Sequence, residues 1–121
     1  MSATPLNPRE AALQLARIGQ EIDAQTRELV QLRDQLPALL RDARRSYAES
    51  YLSTEGSIEN RKQRAVLDAE NAKFRLEVHE QLIEARKDSL RSLRDRSEIG
   101  RAINSNLKEE IRTFQSGPVA A

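Results

Sequence analysis

The sequence predicts an all-α fold: a long antiparallel helical hairpin, coiled-coil-like, kinked near Pro37, with a short C-terminal helix. Three observations carry that expectation. Apolar residues recur at gaps of three and four along two stretches of similar length. One turn signal, Thr54-Glu55-Gly56-Ser57, stands between them. Aromatic residues are only 3% of the 121, against 32% charged. So few rings cannot fill a wide interior, whereas narrow apolar stripes on charged helices can close against each other. Four Gly and four Pro are too few for a turn-rich β-sandwich or barrel.

Residues 1–7 read as a tail. The first helix is expected over about 8–53. Asn7 can cap it, Pro8 suits its first position, and Glu10 lies three residues after the cap. Leu15, Ile18, Ile22, Leu29, Leu32, Leu36 and Leu39 then follow at heptad spacing, with polar Gln25 the one interruption. Pro37 removes a backbone donor, yet its neighbours Leu36, Ala38, Leu39 and Leu40 are apolar, so a kink is expected rather than a loop. Tyr47, Tyr51 and Leu52 continue the helix with the stripe moved sideways by one position.

Gly56 can take the left-handed conformation that ends a helix, and Ser57 can cap the next. The second helix is expected over about 58–103, on a stripe of Ile58, Ala65, Ala69, Ala72, Leu76, His79, Ile83, Leu90 and Leu93. Ile99, Ile103, Leu107, Ile111 and Phe114 form an out-of-phase stripe, so a bend is expected at Gly100 or at Asn104-Ser105-Asn106. A short helix over about 105–115 and a tail over 116–121 complete the reading.

The charge balance excludes some functions. With 20 basic and 19 acidic residues the formal net charge is +1, too little for a strong non-specific grip on nucleic acid. All the basic residues are Arg except Lys62, Lys73, Lys87 and Lys108. No Cys is present, which removes thiolate metal sites and Cys nucleophiles. The lone His79 sits on the apolar stripe between Leu76 and Ile83, as a structural residue would. No phosphate loop, GxSxG, HExxH or Glu-x-x-His pair occurs. The expectation is no enzyme and no cofactor. No apolar run of about 18 residues and no basic-then-apolar leader occurs, so a cytoplasmic protein without a membrane span is expected.

Two sets of candidate contact residues emerge. Leu15, Ile18, Ile22, Leu29, Leu32, Leu76, Ile83, Leu90 and Leu93 are expected to form an oligomer interface. Further apolar residues stand beside the seam, at Leu13, Val30, Leu40, Val66, Leu67, Phe74, Val78 and Leu82, and call for a second hairpin or another partner. Near the turn, Arg41, Arg44, Arg45, Arg61, Lys62 and Arg64 gather around Tyr47 and Tyr51, a set suited to nucleic-acid or partner contact. Interleaved carboxylates weigh toward ordinary solvated faces, with pairs such as Arg45–Glu49, Arg64–Asp68, Lys73–Glu77, Arg91–Asp95 and Arg94–Glu98 four apart.

From Tyr51 to Arg112 a further pattern runs: Tyr51-Leu52, then Glu55-Gly56-Ser57, Arg61-Lys62, Ala65, Glu77-Val78 and Arg86. It closes with Leu90-Arg91, Leu93-Arg94 and Ile99-Gly100-Arg101. This stretch resembles small all-helical proteins of actinobacterial phages and prophages. The resemblance implies an accessory protein among early genes for DNA replication and recombination, and carries no catalytic position. The expected function is therefore a homo-oligomeric helical scaffold or accessory factor working on itself and on a protein partner. A single-stranded nucleic-acid binder and an inhibitor of a host protein are the alternatives.

Overall fold

The computed structural model describes residues 7–115, and among them it contains two α-helices and no strand: α1, Pro8–Ser53, and α2, Ile58–Gln115. The chain is an all-α helical hairpin. Apart from Asn7, the two expected tails lie outside the described residues. No helix of the described residues is long and apolar enough to cross a membrane.

The hairpin is punctuated by local chemistry. Asn7 Oδ1 accepts from the Glu10 amide at 2.9 Å, and the Asn7 carbonyl takes the Ala11 amide at 3.1 Å. The first satisfies one of the donors that every helix start leaves orphaned, and the second is the first regular bond of the helix. At the other end of α1 the Ser50 carbonyl accepts from the Thr54 amide at 3.0 Å, the Thr54 hydroxyl at 2.7 Å and the Ser53 hydroxyl at 3.3 Å. Gly56, at φ 117°, reverses the chain. Ser57 Oγ then caps α2 through the Asn60 amide at 3.1 Å, while Asn60 Nδ2 donates back to the Glu55 carbonyl at 3.2 Å.

Pro37 lies inside α1, which continues through it. Its neighbours on both sides are good helix formers, and only the donor to the Arg33 carbonyl is lost.

The chain divides into two compact units, Arg27–Lys87 and the pair Met1–Thr26 with Asp88–Ala121. In the first, which contains the turn, Leu29, Ser50, Ala65, Ala69, His79 and Ile83 are buried. Leu32, Leu36, Leu39, Ala43, Ser46, Ala72 and Leu76 are half-buried. In the second, Ala11, Leu90 and Leu93 are buried, and Leu15, Ile18, Ile22, Gln25, Ser97, Gly100, Asn104 and Leu107 are half-buried. Along each helix these positions keep one alternation of threes and fours. On α1 the a positions are 15, 22, 29, 36, 43 and 50, and the d positions 11, 18, 25, 32, 39 and 46. On α2 the a positions are 69, 76, 83, 90, 97 and 104, and the d positions 65, 72, 79, 86, 93, 100 and 107.

That unbroken alternation corrects two expectations. The seam of α1 does not step sideways near the turn. It stays in phase through Ala43, Ser46 and Ser50, with Ala65, Ala69 and Ala72 on α2 equally small, and small side chains let helix axes approach closely. Nor does α2 end at Gly100 or at Asn104-Ser105-Asn106. There is no separate helix over 105–115, and α2 runs unbroken to Gln115. Gly100 is itself a seam residue: a Cβ placed there would lie 2.8 Å from Leu15 Cδ2, so its bareness is what admits Leu15. Of the stripe read as out of phase, only Ile99, exposed, and Ile103, half-buried, leave the seam; Leu107, Ile111 and Phe114 keep its a and d phase, with Ile111 and Phe114 exposed, Phe114 at 89%.

Candidate interaction surfaces

The nine residues expected to form an oligomer interface are occupied within the single chain. Leu29, Ile83, Leu90 and Leu93 are buried and Leu15, Ile18, Ile22, Leu32 and Leu76 half-buried, all on seam positions. The physical reason is plain: a chain that folds back on itself covers its best stripe first, before a second molecule arrives. A surface for partners has to be sought beside the seam.

His79 belongs to that seam. It is buried, with Nε2 donating to the Leu32 carbonyl across the hairpin. Since a carbonyl only accepts, the proton sits on Nε2. Ser50 makes a second cross-link, its hydroxyl donating to Asp68 Oδ2 at 2.7 Å. Arg86 makes a third, reaching Glu28 at 2.8 Å. These three contacts set the register: residue 50 of α1 stands near residue 68 of α2, residue 32 near 79 and residue 28 near 86.

The cationic set near the turn does not assemble into one track. Arg45 is tied to Glu49 at 2.8 Å and Arg64 to Asp68 at 3.3 Å. Arg61 is half-buried, with its Nε enclosed and unpartnered. Arg41, Arg44 and Lys62 are exposed. Tyr47 and Tyr51 stack on each other with centroids 6.4 Å apart and planes 13° from parallel, which occupies one face of each ring. In heptad terms Arg44, Tyr47 and Tyr51 lie on the b/e flank of α1, whereas Arg61 and Arg64 lie on the g/c flank of α2. In an antiparallel pair e faces e and g faces g, so the two groups sit on opposite sides. Of the other expected pairs, Lys73–Glu77, Arg91–Asp95 and Arg94–Glu98 are not formed; Arg91 turns instead to Asp88 at 3.4 Å.

Two apolar features of the turn-containing unit remain uncovered. One is an outer stripe of α2 with Leu67, Phe74, Val78 and Leu82, Phe74 being 64% exposed. It is a single helix wide and bordered by Glu70, Glu77 and Glu84. The other runs along α1. Each of its members follows a seam residue directly: Val30 after Leu29, Leu40 after Leu39, Tyr47 after Ser46, Tyr51 after Ser50. Val30 is 50% exposed. Arg33 and Arg44 belong to the same column. The matching column of α2 holds Val66, 61% exposed, followed by Glu70, Glu77, Glu80 and Glu84, with Lys73 and Lys87 interleaved. The sideways step read from Tyr47 and Tyr51 is in fact the continuation of this second column, whose Val30 and Leu40 the sequence already places beside the seam. Its signal was available as a second three–four repeat.

No group of three or more His, Asp or Glu side chains among the described residues could hold a metal ion. No family model matches the chain, and neither the curated proteins nor the solved structures contain a match to it.

Proposed function

We propose that this chain is a non-enzymatic helical scaffold or accessory factor of the cytoplasm that acts by self-association and by docking a helical partner. One observation carries the reading: after the seam has been closed, the turn-containing unit still exposes a heptad-spaced apolar column, with Val30 and Tyr47 open to solvent. Such a face loses free energy on being covered, at about 25 cal/mol per Å² of apolar surface. The resemblance of residues 51–112 to phage helical proteins supports placing this role among phage factors for DNA replication or recombination. The nucleic-acid reading gains no such support, because Arg45 and Arg64 are committed to carboxylates and the basic groups lie on opposite sides. Light scattering coupled to size exclusion tests the proposal. A mass that is a multiple of 13.7 kDa at micromolar concentration is the expected result, and a stable monomer there overturns it.

A further inference from the structure

The two flank columns of the turn-containing unit are chemically unlike and mutually complementary. That of α1 carries apolar side chains and two cations, Arg33 and Arg44. That of α2 carries Val66, the carboxylates of Glu70, Glu77, Glu80 and Glu84, and two interleaved cations, Lys73 and Lys87, the latter paired with Glu84, so that it is net acidic. None of Arg33, Arg44, Glu70, Glu77 and Glu80 forms an ion pair among the described residues.

The register adds position to sign. Taken together, the three cross-links place Tyr47 within about a helical turn of Val66 in height, Arg44 within a turn of Glu70, and Arg33 within a turn of Glu80. Two hairpins can stack these flanks in two all-antiparallel ways. With the two-fold axis across the helices, turns point in opposite directions, α1 covers α1 and α2 covers α2. The α1 columns with Arg33 and Arg44 then face each other, as do the net-acidic α2 columns, and like charges opposed in an interface are costly. With the two-fold axis along the helices, both turns lie at one end. Each α1 column then covers the α2 column of the other copy, antiparallel and in matching height.

We propose that the occupant of this flank is a second copy of the chain, packed about a two-fold axis parallel to the helices, with both turns at one end. Arg44 then meets Glu70 of the second copy and Arg33 meets Glu80, twice over by symmetry, while Tyr47 closes on Val66. This rests on the self-association reading and specifies its face and symmetry.

The absence of Cys makes the test direct. Glu55→Cys, at the turn, is spin-labelled and the distance between labels in the assembled protein is measured by pulsed electron resonance. Helices pack about 10 Å apart, so turns at one end give a separation on the order of 20–30 Å with the label arms. Turns at opposite ends of a column spanning residues 30–51 give more than about 30 Å from helix rise alone, and about 40 Å or more with the loops. A long distance in a dimer overturns the proposed packing while leaving self-association standing; a monomer overturns both. In parallel, Arg33→Glu with Arg44→Glu should weaken association at least about tenfold, and adding Glu70→Arg with Glu80→Arg should restore it. Unchanged association in the first variant, or failure of the second to recover in a chain that remains helical, also overturns it.

Discussion

Three glycines in this hairpin face different surroundings, and replacing each by Ala should give three different outcomes. In a helix interior Ala is favoured over Gly by about 1 kcal/mol. At Gly19 a Cβ meets nothing within 4 Å, so the full gain is expected, worth about 4 °C in Tm for a chain of this size. At Gly100 the same gain is opposed by Leu15, whose Cδ2 would lie 2.8 Å from the new Cβ. Leu15 is only half-buried and can leave its rotamer at a cost of about 1 kcal/mol, so the net effect should be near zero. At Gly56 no gain is available. Its φ of 117° is strained for any L residue, and the Cβ would sit 2.8 Å from Asn60 Nδ2, which is held to the Glu55 carbonyl. A loss of about 1–3 kcal/mol follows. Urea unfolding followed by circular dichroism, at one fixed protein concentration, ranks the three. The order should be Gly19→Ala above the parent, Gly100→Ala level with it and Gly56→Ala below. If Gly100→Ala gains as much as Gly19→Ala, Leu15 does not pack on Gly100 and the in-phase seam is wrong.

Two seam substitutions make the same point from inside. Ala65 is 0% exposed, so Ala65→Leu has no room and should lower stability by about 1–3 kcal/mol in the same unfolding assay; a gain would mean the helices are loosely apposed there. His79→Leu exchanges a buried polar ring for an apolar side chain on a seam position, and the Leu32 carbonyl keeps its place in α1. Stability should stay level or rise by about 1 kcal/mol, and a fall of that size would show that the hydrogen bond to Leu32 outweighs the desolvation of the ring.

The helices and their ends were legible because their causes are local. Asn7, Ser57 and Gly56 act within three or four residues of themselves, and the structure shows each of those contacts. The stripe of large residues from Leu15 to Leu39 was legible for the same reason. What escaped was the continuation of the seam where it turns small or polar. Ala43, Ser46, Ser50, Ser97, Gly100 and Asn104 carry no hydrophobic signal, so the eye follows the larger neighbours: Tyr47 and Tyr51 on α1, Ile99 and Ile103 on α2. Phase is fixed by the opposite helix, not by hydrophobicity alone: Leu15 reaching into the space above Gly100 is a tertiary fact. The nine residues expected at an oligomer interface are buried or half-buried within the single chain, whereas Val30, Leu40 and Val66 were legible beside the seam as residues left over.

The seam is poorest where the flank is richest. Of the seven buried apolar residues among those described, Ala11, Ala65 and Ala69 are alanines, and no large side chain among them is fully enclosed. Between Ala43 and Ser50 the interior of the turn-containing unit is made of Ala and Ser against Ala65, Ala69 and Ala72, which bury little surface when the helices meet. Beside that stretch stand Leu40, Tyr47, Tyr51 and Val66. A hairpin selected to be stable alone would place such residues in the seam and leave the flank polar. Here small residues fill the seam and the larger groups stand along one flank. Covering that flank adds burial where the interior supplies least, and anything that binds the folded hairpin and not the unfolded chain raises its stability by mass action. On this arrangement folding of the turn-containing unit and recognition of its partner are linked, and the strength of either can be tuned by substitutions in the other.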